Sequence, residues 1–214
     1  MKLPVAVLCI ATALAAAAPA MAAAGSARTL LLSASTARLS AGDMDRIGRG
    51  ETVFMVEDSG RGDRRIRFAG AINGRPDEVY GALSNLDKYA EVLPAYFTDS
   101  AVRSRGENEA IAYFRFRTYW PFPDRAVTNK YVLDPDRKAI AWLRVGGSVL
   151  KNDGSVSVRP YGADRSLVDF LVAVDPGIPF IPAWIFDDWA ARQVVPGVLT
   201  ELDRYLSRTR TASR

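Results

Sequence analysis

Between Tyr96 and Asp175 the chain is a succession of short alternating segments separated by tight turns, and this run narrows the fold more than any other feature. "YFTDSAVRSR" and "EAIAYFRFRTYW" flank GENE; "RAVTNKYVLD" and "KAIAWLRVGG" flank Pro135-Asp136-Arg137; "GSVSVRPY" and "RSLVDFLVAVD" flank Gly162-Ala163-Asp164. Turns this short pair successive strands antiparallel. Regular alternation leaves one face of the sheet buried and the other exposed. On the last strand Val168, Phe170, Val172 and Val174 share a face, opposite Asp169 and Leu171.

One connection is different. "TYWPFPDRAV" places two prolines and two aromatics where a hairpin would use Asn-Gly or Asp-Gly. Pro121 and Pro123 cannot donate ladder hydrogen bonds, so they stop one strand and turn the chain. Trp120 and Phe122 cover the corner's apolar side. Arg125 then opens the next strand on the same side as Val127, Asn129 and Tyr131. The Gly146-Gly147 pair lacks the lysine and the helix of a phosphate loop and reads as a bulge or bend.

Ahead of the six strands stand two more candidates, "ETVFMVED" and "RRIRFAGAING", around the polar break SGRGD. The period then changes. "RPDEVYGALSNLDKYAEVLP" has Pro76 at a helix start, acids in its first turn, and Val79, Leu83 and Leu86 at helical spacing. Tyr89, Val92 and Leu93 predict a second short helix, closed before Pro94. After "DPGIPFIPA" a long helical pattern runs to the end through Trp184, Ile185, Trp189, Leu199, Leu202 and Leu206, with Pro196 expected to kink it. The predicted architecture is α+β: a curved antiparallel sheet wrapped around a long C-terminal helix, with two short helices after the first strands.

The amino terminus reads as a cleaved secretory signal, residues 1–22: Lys2, an Ala-rich apolar run, then Ala20-Met21-Ala22 as the cleavage pattern. The run is shorter than the roughly 20 residues needed to span a bilayer. Residues 23–50 are expected to form a tether and a short helix capped by Ser40, residues 51–208 one domain, and residues 209–214 a frayed end. The expected location is secreted or periplasmic. Without Lys2, 27 basic residues stand against 24 acidic ones, a net charge of +3. They are dispersed, whereas a nucleic-acid partner calls for a basic stripe.

The chain has no histidine, and its single cysteine, Cys9, would leave with the signal. Disulfides and Cys/His zinc sites are therefore excluded from the mature chain, as are His-based triads. Any catalysis would have to run on carboxylates, lysine, tyrosine or water. No metal and no cofactor is implied.

The order of elements, with "WPFPDRAV" and "VDPGIPFIPAWIFDDWA", resembles the START lipid-transfer domains of the SRPBCC (helix-grip) superfamily, which also holds polyketide cyclases and coenzyme Q-binding proteins. The likeness covers about Glu51 to Arg208 and suggests a bacterial, secreted member. Family members often carry P-x-x-D-R-D-F-V at the start of a strand. Pro121, Asp124 and Arg125 match it, while Ala126 and Val127 replace the second acid and the Phe. A D-P-G-x-x-P-x-W run before the last helix is matched by Asp175, Pro176, Gly177, Pro182 and Trp184. The resemblance implies an internal cavity with Arg125 at or near it, partnered by an acid such as Asp124, Glu107 or Glu109, or merely fixing the corner.

On this basis the candidate ligand-binding residues are Phe116, Arg125, Val127, Asn129, Tyr131, Trp142, Phe170, Val172, Trp184 and Ile185. Each apolar one suits a packed core equally well; the functional reading rests on the set. The leading expectation is a monomeric carrier of a lipid, sterol-like or isoprenoid molecule in the cell envelope, touching membranes transiently. Uptake would require the last helix or a loop to move, with "DPGIPFIPA" as hinge. One alternative is a cyclase- or dehydrase-like enzyme using Asp169 as a cavity carboxylate, or Tyr131 or Tyr113 as an acid. The other is an envelope interaction module recognised by a broad exposed apolar patch.

Overall fold

The computed structural model describes residues 39–58, 64–117, 124–175 and 195–212. Its elements are α1 (Ala41–Gly48), β1 (Val53–Asp58), β2 (Arg64–Asn73), α2 (Pro76–Ser84), a 3-10 turn (Leu86–Lys88), α3 (Tyr89–Val92), β3 (Phe97–Arg105), β4 (Glu109–Phe116), β5 (Arg125–Asp134), β6 (Ala139–Gly147), β7 (Lys151–Pro160), β8 (Arg165–Asp175) and α4 (Val195–Ala212). The strands form one antiparallel sheet in the order β1-β2-β8-β7-β6-β5-β4-β3. β3 to β8 is thus a meander, and the N-terminal hairpin joins its far end through the β2–β8 ladder.

The helix starts follow their capping chemistry. Ser40 Oγ accepts from Asp43 N at 3.1 Å, and Asp43 Oδ2 accepts from Ser40 N at 3.1 Å, closing a capping box on α1. The hydrogen bonds from Ser40 hold the Asp43 carboxyl below its usual range. In α2, Pro76 stands where a missing N–H costs nothing, and Glu78 reaches back to Arg75 N at 3.1 Å. The single second helix expected from the sequence is a 3-10 turn followed by the four-residue α3.

The sheet has an inner face, packed by helices, and an outer one. Leu199, Leu202 and Leu206 of α4 share the inner core with Val79 and Leu83 of α2 and with Phe68, Phe114, Ile140, Val156, Val168 and Phe170 of the sheet. Leu199 lies directly over Gly70 of β2. On the outer face α1 covers β1 and β2, with Ile47, Val53, Ala69 and Leu167 forming a second, smaller core. The end expected to fray from residue 209 is helical through Ala212. Pro196 lies in the first turn of α4 as described; the proline-rich lead-in with Trp184, Ile185 and Trp189 lies outside the described residues, as do the corner residues 118–123 and the signal segment.

β7 begins at Lys151, three residues ahead of the segment read from the sequence. "KNDG" has turn-forming residues, but its side chains replace ladder bonds to β6. Trp142 Nε1 donates to Asn152 Oδ1 at 3.0 Å, and Arg144 N donates to Asp153 Oδ1 at 3.0 Å.

Candidate functional site

The inner face of β4, β5 and β6 carries an arc of aromatic rings. Phe97 of β3 touches Phe116 (centroids 5.0 Å) and Phe114 (5.5 Å); Phe114 meets Tyr89 of α3 (5.1 Å) and Tyr131 (5.9 Å); Tyr131 stacks towards Trp142 (6.1 Å). Strand register explains the arc: Tyr131 pairs with Trp142, and Phe114 with Val127. Paired residues in an antiparallel ladder project from the same face. Trp142 lies flat on the next strand because its partner there is Gly154. A Cβ at that position would stand 2.5 Å from Trp142 Cζ2 and 2.7 Å from Leu171 O.

Phe116, Val127, Asn129, Tyr131 and Trp142 therefore come together. Arg125 stands on the same face, opposite Phe116 at the first position of β5. Phe170 does not join them: it stacks on Phe68 at 4.6 Å in the core shared with α4. Val172 lies between Ile66 and Gly154 in register, at the border of that core. Trp184 and Ile185 fall outside the described residues.

A small polar group interrupts this apolar surface. Asn129 is 1% exposed, and among the described residues its side chain makes one hydrogen bond, from Nδ2 to the Tyr131 hydroxyl at 3.4 Å. Oδ1 has no partner. Opposite Asn129 in register stands Arg144, whose Nη2 donates to Gly147 O at 2.9 Å. Arg144 faces inward because it lies two residues from Trp142 on β6; a β-bulge follows it, where the β5–β6 register shifts between Thr128 and Asn129 and Val145 is extra. Arg144 shares the face of Trp142 by plain two-residue spacing; it was missed because its neighbour Asn129 is known only from the register of the partner strand. Phe97, Phe114 and Tyr89 were missed because contacts across strands are set by register.

The proposed cavity carboxylate, Asp169, is on the outer face. It accepts from Arg67 Nε at 3.0 Å and Nη2 at 2.7 Å, and from Arg159 Nη2 at 3.3 Å. Arg67 and Asp169 are both buried there, and the acid's charge is committed to two guanidiniums. Tyr113 likewise projects outward, with the Arg103 guanidinium 5.2 Å from its ring centre. Glu109 cannot partner Arg125. It sits seven positions along β4, about 24 Å away at strand rise, and binds Lys130 Nζ at 2.9 Å; Glu107, in the turn before it, is no closer. Register places every described carboxylate of β3 to β8 on the outer face or exposed. Among the described residues no group of three or more acids forms a metal site, and no helix is long and apolar enough to cross a membrane.

Burial pushes the Tyr131 hydroxyl well above the usual tyrosine value, and burial followed by proximity to Tyr131 does the same for Tyr89, whose hydroxyl donates to Leu83 O at 2.7 Å. Both hold their protons more tightly folded than unfolded. Their stabilising contribution is therefore complete below about pH 10, the ordinary tyrosine value, and is lost as pH rises beyond it. Urea melts between about pH 8 and 11 should show stability falling only at the alkaline end, with a shallower fall in Tyr131→Phe. An unchanged fall in that variant would contradict this assignment.

No family model matches the sequence, and no curated protein matches it significantly. Solved structures do resemble it. A STAR-related lipid transfer protein from Xanthomonas axonopodis is 18% identical with a TM-score of 0.61, over 80% of this chain and 97% of that one. Human STARD10 is 12% identical with a TM-score of 0.58, over 80% and 81%. The Zhui aromatase/cyclase from Streptomyces sp. R1128 is 14% identical with a TM-score of 0.57, over 71% and 96%. At these identities the likeness establishes the fold. It is a helix-grip fold, a curved antiparallel sheet closed by a C-terminal helix, as in those lipid-transfer and cyclase structures.

Proposed function

We propose that the protein binds a hydrophobic small molecule (a lipid, a sterol-like compound or an isoprenoid) against the inner face of β4–β6 and carries it in the cell envelope. The observation that supports this most is the aromatic arc from Phe116 to Trp142, on a face whose strands present no carboxylate. Such a surface binds by removing apolar area from water, worth about 0.8 kcal/mol per methylene. The lipid-transfer proteins of the same fold fit this reading. Because Asn129 and Tyr131 are already buried, loading requires an element resting on the inner face to move. Val145, Leu150 and Val174, exposed at one end of β6–β8, suit a transient membrane contact.

The aromatase/cyclase of the same fold keeps an enzymatic reading alongside this one. Here it would rest on Tyr131, a proton donor held protonated by burial, and not on Asp169. Mass spectrometry of the protein purified from its own envelope without detergent, native and then solvent-extracted, separates the two. Carriage predicts a stoichiometric apolar molecule that leaves on denaturation. A bare protein would shift the case to an enzyme or an interaction module.

A further inference from the structure

The polar group at the β5–β6 bulge has unmet hydrogen-bonding capacity of a particular kind. A primary amide offers two donors and two acceptor sites, and a buried one left unmet is costly. Asn129 makes a single long bond, to Tyr131. Heavy-atom positions leave the amide's orientation open. Turned over, Oδ1 accepts the Tyr131 hydroxyl proton, and Nδ2 becomes a donor with nothing to receive it. In either orientation one amide atom lacks a partner.

Arg144 adds a charge. Its Nε is buried and has no partner, its Nη2 bonds a backbone carbonyl, and among the described residues no ion pair involves it. It shares the face and register position of Asn129, with side-chain origins about 5 Å apart. A half-buried guanidinium whose Nε is shut away from water beside aromatic surface gains from a complementary anion, and here the inner face of the described strands presents none. Trp142 and Asn152, by contrast, satisfy each other.

We propose that the molecule bound on this face is a carboxylate-headed amphiphile, its head group seated between Arg144 and Asn129 and its apolar body laid along Tyr131, Trp142 and Phe114. This rests on the hydrophobic-ligand reading above and names the head group. A carboxylate has two oxygens in a plane. One meets Arg144 Nε–H and the other the Asn129 amide N–H, a charge-assisted pair of the kind that fixes orientation. One ionised carboxylate neutralises the one guanidinium without adding a second negative charge to an apolar site. An alcohol or ester would satisfy the amide and leave the cation uncompensated.

The test uses the delipidated mature protein and cis-parinaric acid, a fluorescent polyene carboxylate, against its methyl ester, with dodecanoic acid, methyl dodecanoate and dodecyl phosphate as competitors. The acids should bind about tenfold or more tightly than the esters, and Arg144→Gln should remove most of that preference while keeping the ester affinity. Equal binding of acid and ester would overturn the head-group assignment and leave the hydrophobic site standing. Stronger competition by dodecyl phosphate would overturn the carboxylate in favour of a phosphate head. Failure of every probe to bind would sink the hydrophobic-ligand reading as well. Full preference in Arg144→Gln would remove Arg144 as the seat. The wild-type series decides the head group even where the variant does not fold.

Discussion

Asp169→Ala should lower the unfolding free energy by about 3–5 kcal/mol, because breaking one partner out of a buried ion pair leaves charge in the interior without its counter-ion. The carboxylate is 5% exposed and serves both Arg67 and Arg159. The charge cluster ties β2, β8 and β7 together on the outer face, where the N-terminal hairpin meets the meander. Denaturant melts with circular dichroism give the number. A loss below about 1 kcal/mol would place the pair in the class of solvent-screened surface bridges. Binding of apolar probes by the folded fraction should be unchanged, since Asp169 is on the opposite side of the sheet from the aromatic arc. An effect on binding at constant stability would mean that the outer face communicates with the site.

Gly147→Ala should cost about 2–5 kcal/mol, the sum of a left-handed backbone made unfavourable by a Cβ and of overpacking. Gly147 has φ of 104°, and a Cβ there would collide with Ala126 O and stand 2.6 Å from Val127 Cα. Both obstacles are backbone, so no rotamer change relieves them. The same residue closes the bulge beside Arg144, and its carbonyl receives Arg144 Nη2 at 2.9 Å. The variant should therefore lose preference for acidic over neutral probes together with stability. Unfolding melts and the acid-against-ester comparison measure the two effects. A variant as stable as the parent would show that β5 and β6 can separate locally at low cost.

Most of the framework was readable from the sequence because it rests on local physics. Alternation with short turns dictated antiparallel neighbours, Pro76 and Ser40 marked helix starts, and the paired glycines at 146 and 147 marked an irregular strand end. Ambiguity began where one strand's meaning depends on another. "KNDG" looks like a turn until Trp142 and Arg144 are seen to take its side chains as ladder partners. Asp169 alternates with Phe170, which placed it on the other face from the start, yet an isolated buried acid is easily credited with chemistry when its arginine lies 102 residues away. Asn129 and Tyr131 were legible because two-residue spacing puts them on one face of the strand with Arg125 and Val127. Arg144 shares a face with Trp142 by spacing, but its place opposite Asn129 is revealed only by the register.

The order of strands in the sheet also has an energetic consequence. Five of its seven ladders join strands that follow one another from β3 to β8, and β1–β2 is likewise local; the remaining one, β2–β8, spans about a hundred residues. Bringing distant segments together costs chain entropy that grows as the logarithm of the enclosed length, while a short turn costs little. The β2–β8 seam is thus the part of the sheet whose contacts must offset the largest entropic debt. Along it lie the Phe68–Phe170 stack on one side and the Arg67–Asp169 pair on the other. Among the described residues, the longest-range junction is held by the tightest aromatic stack and the most buried charge pair, one on each face of the same seam.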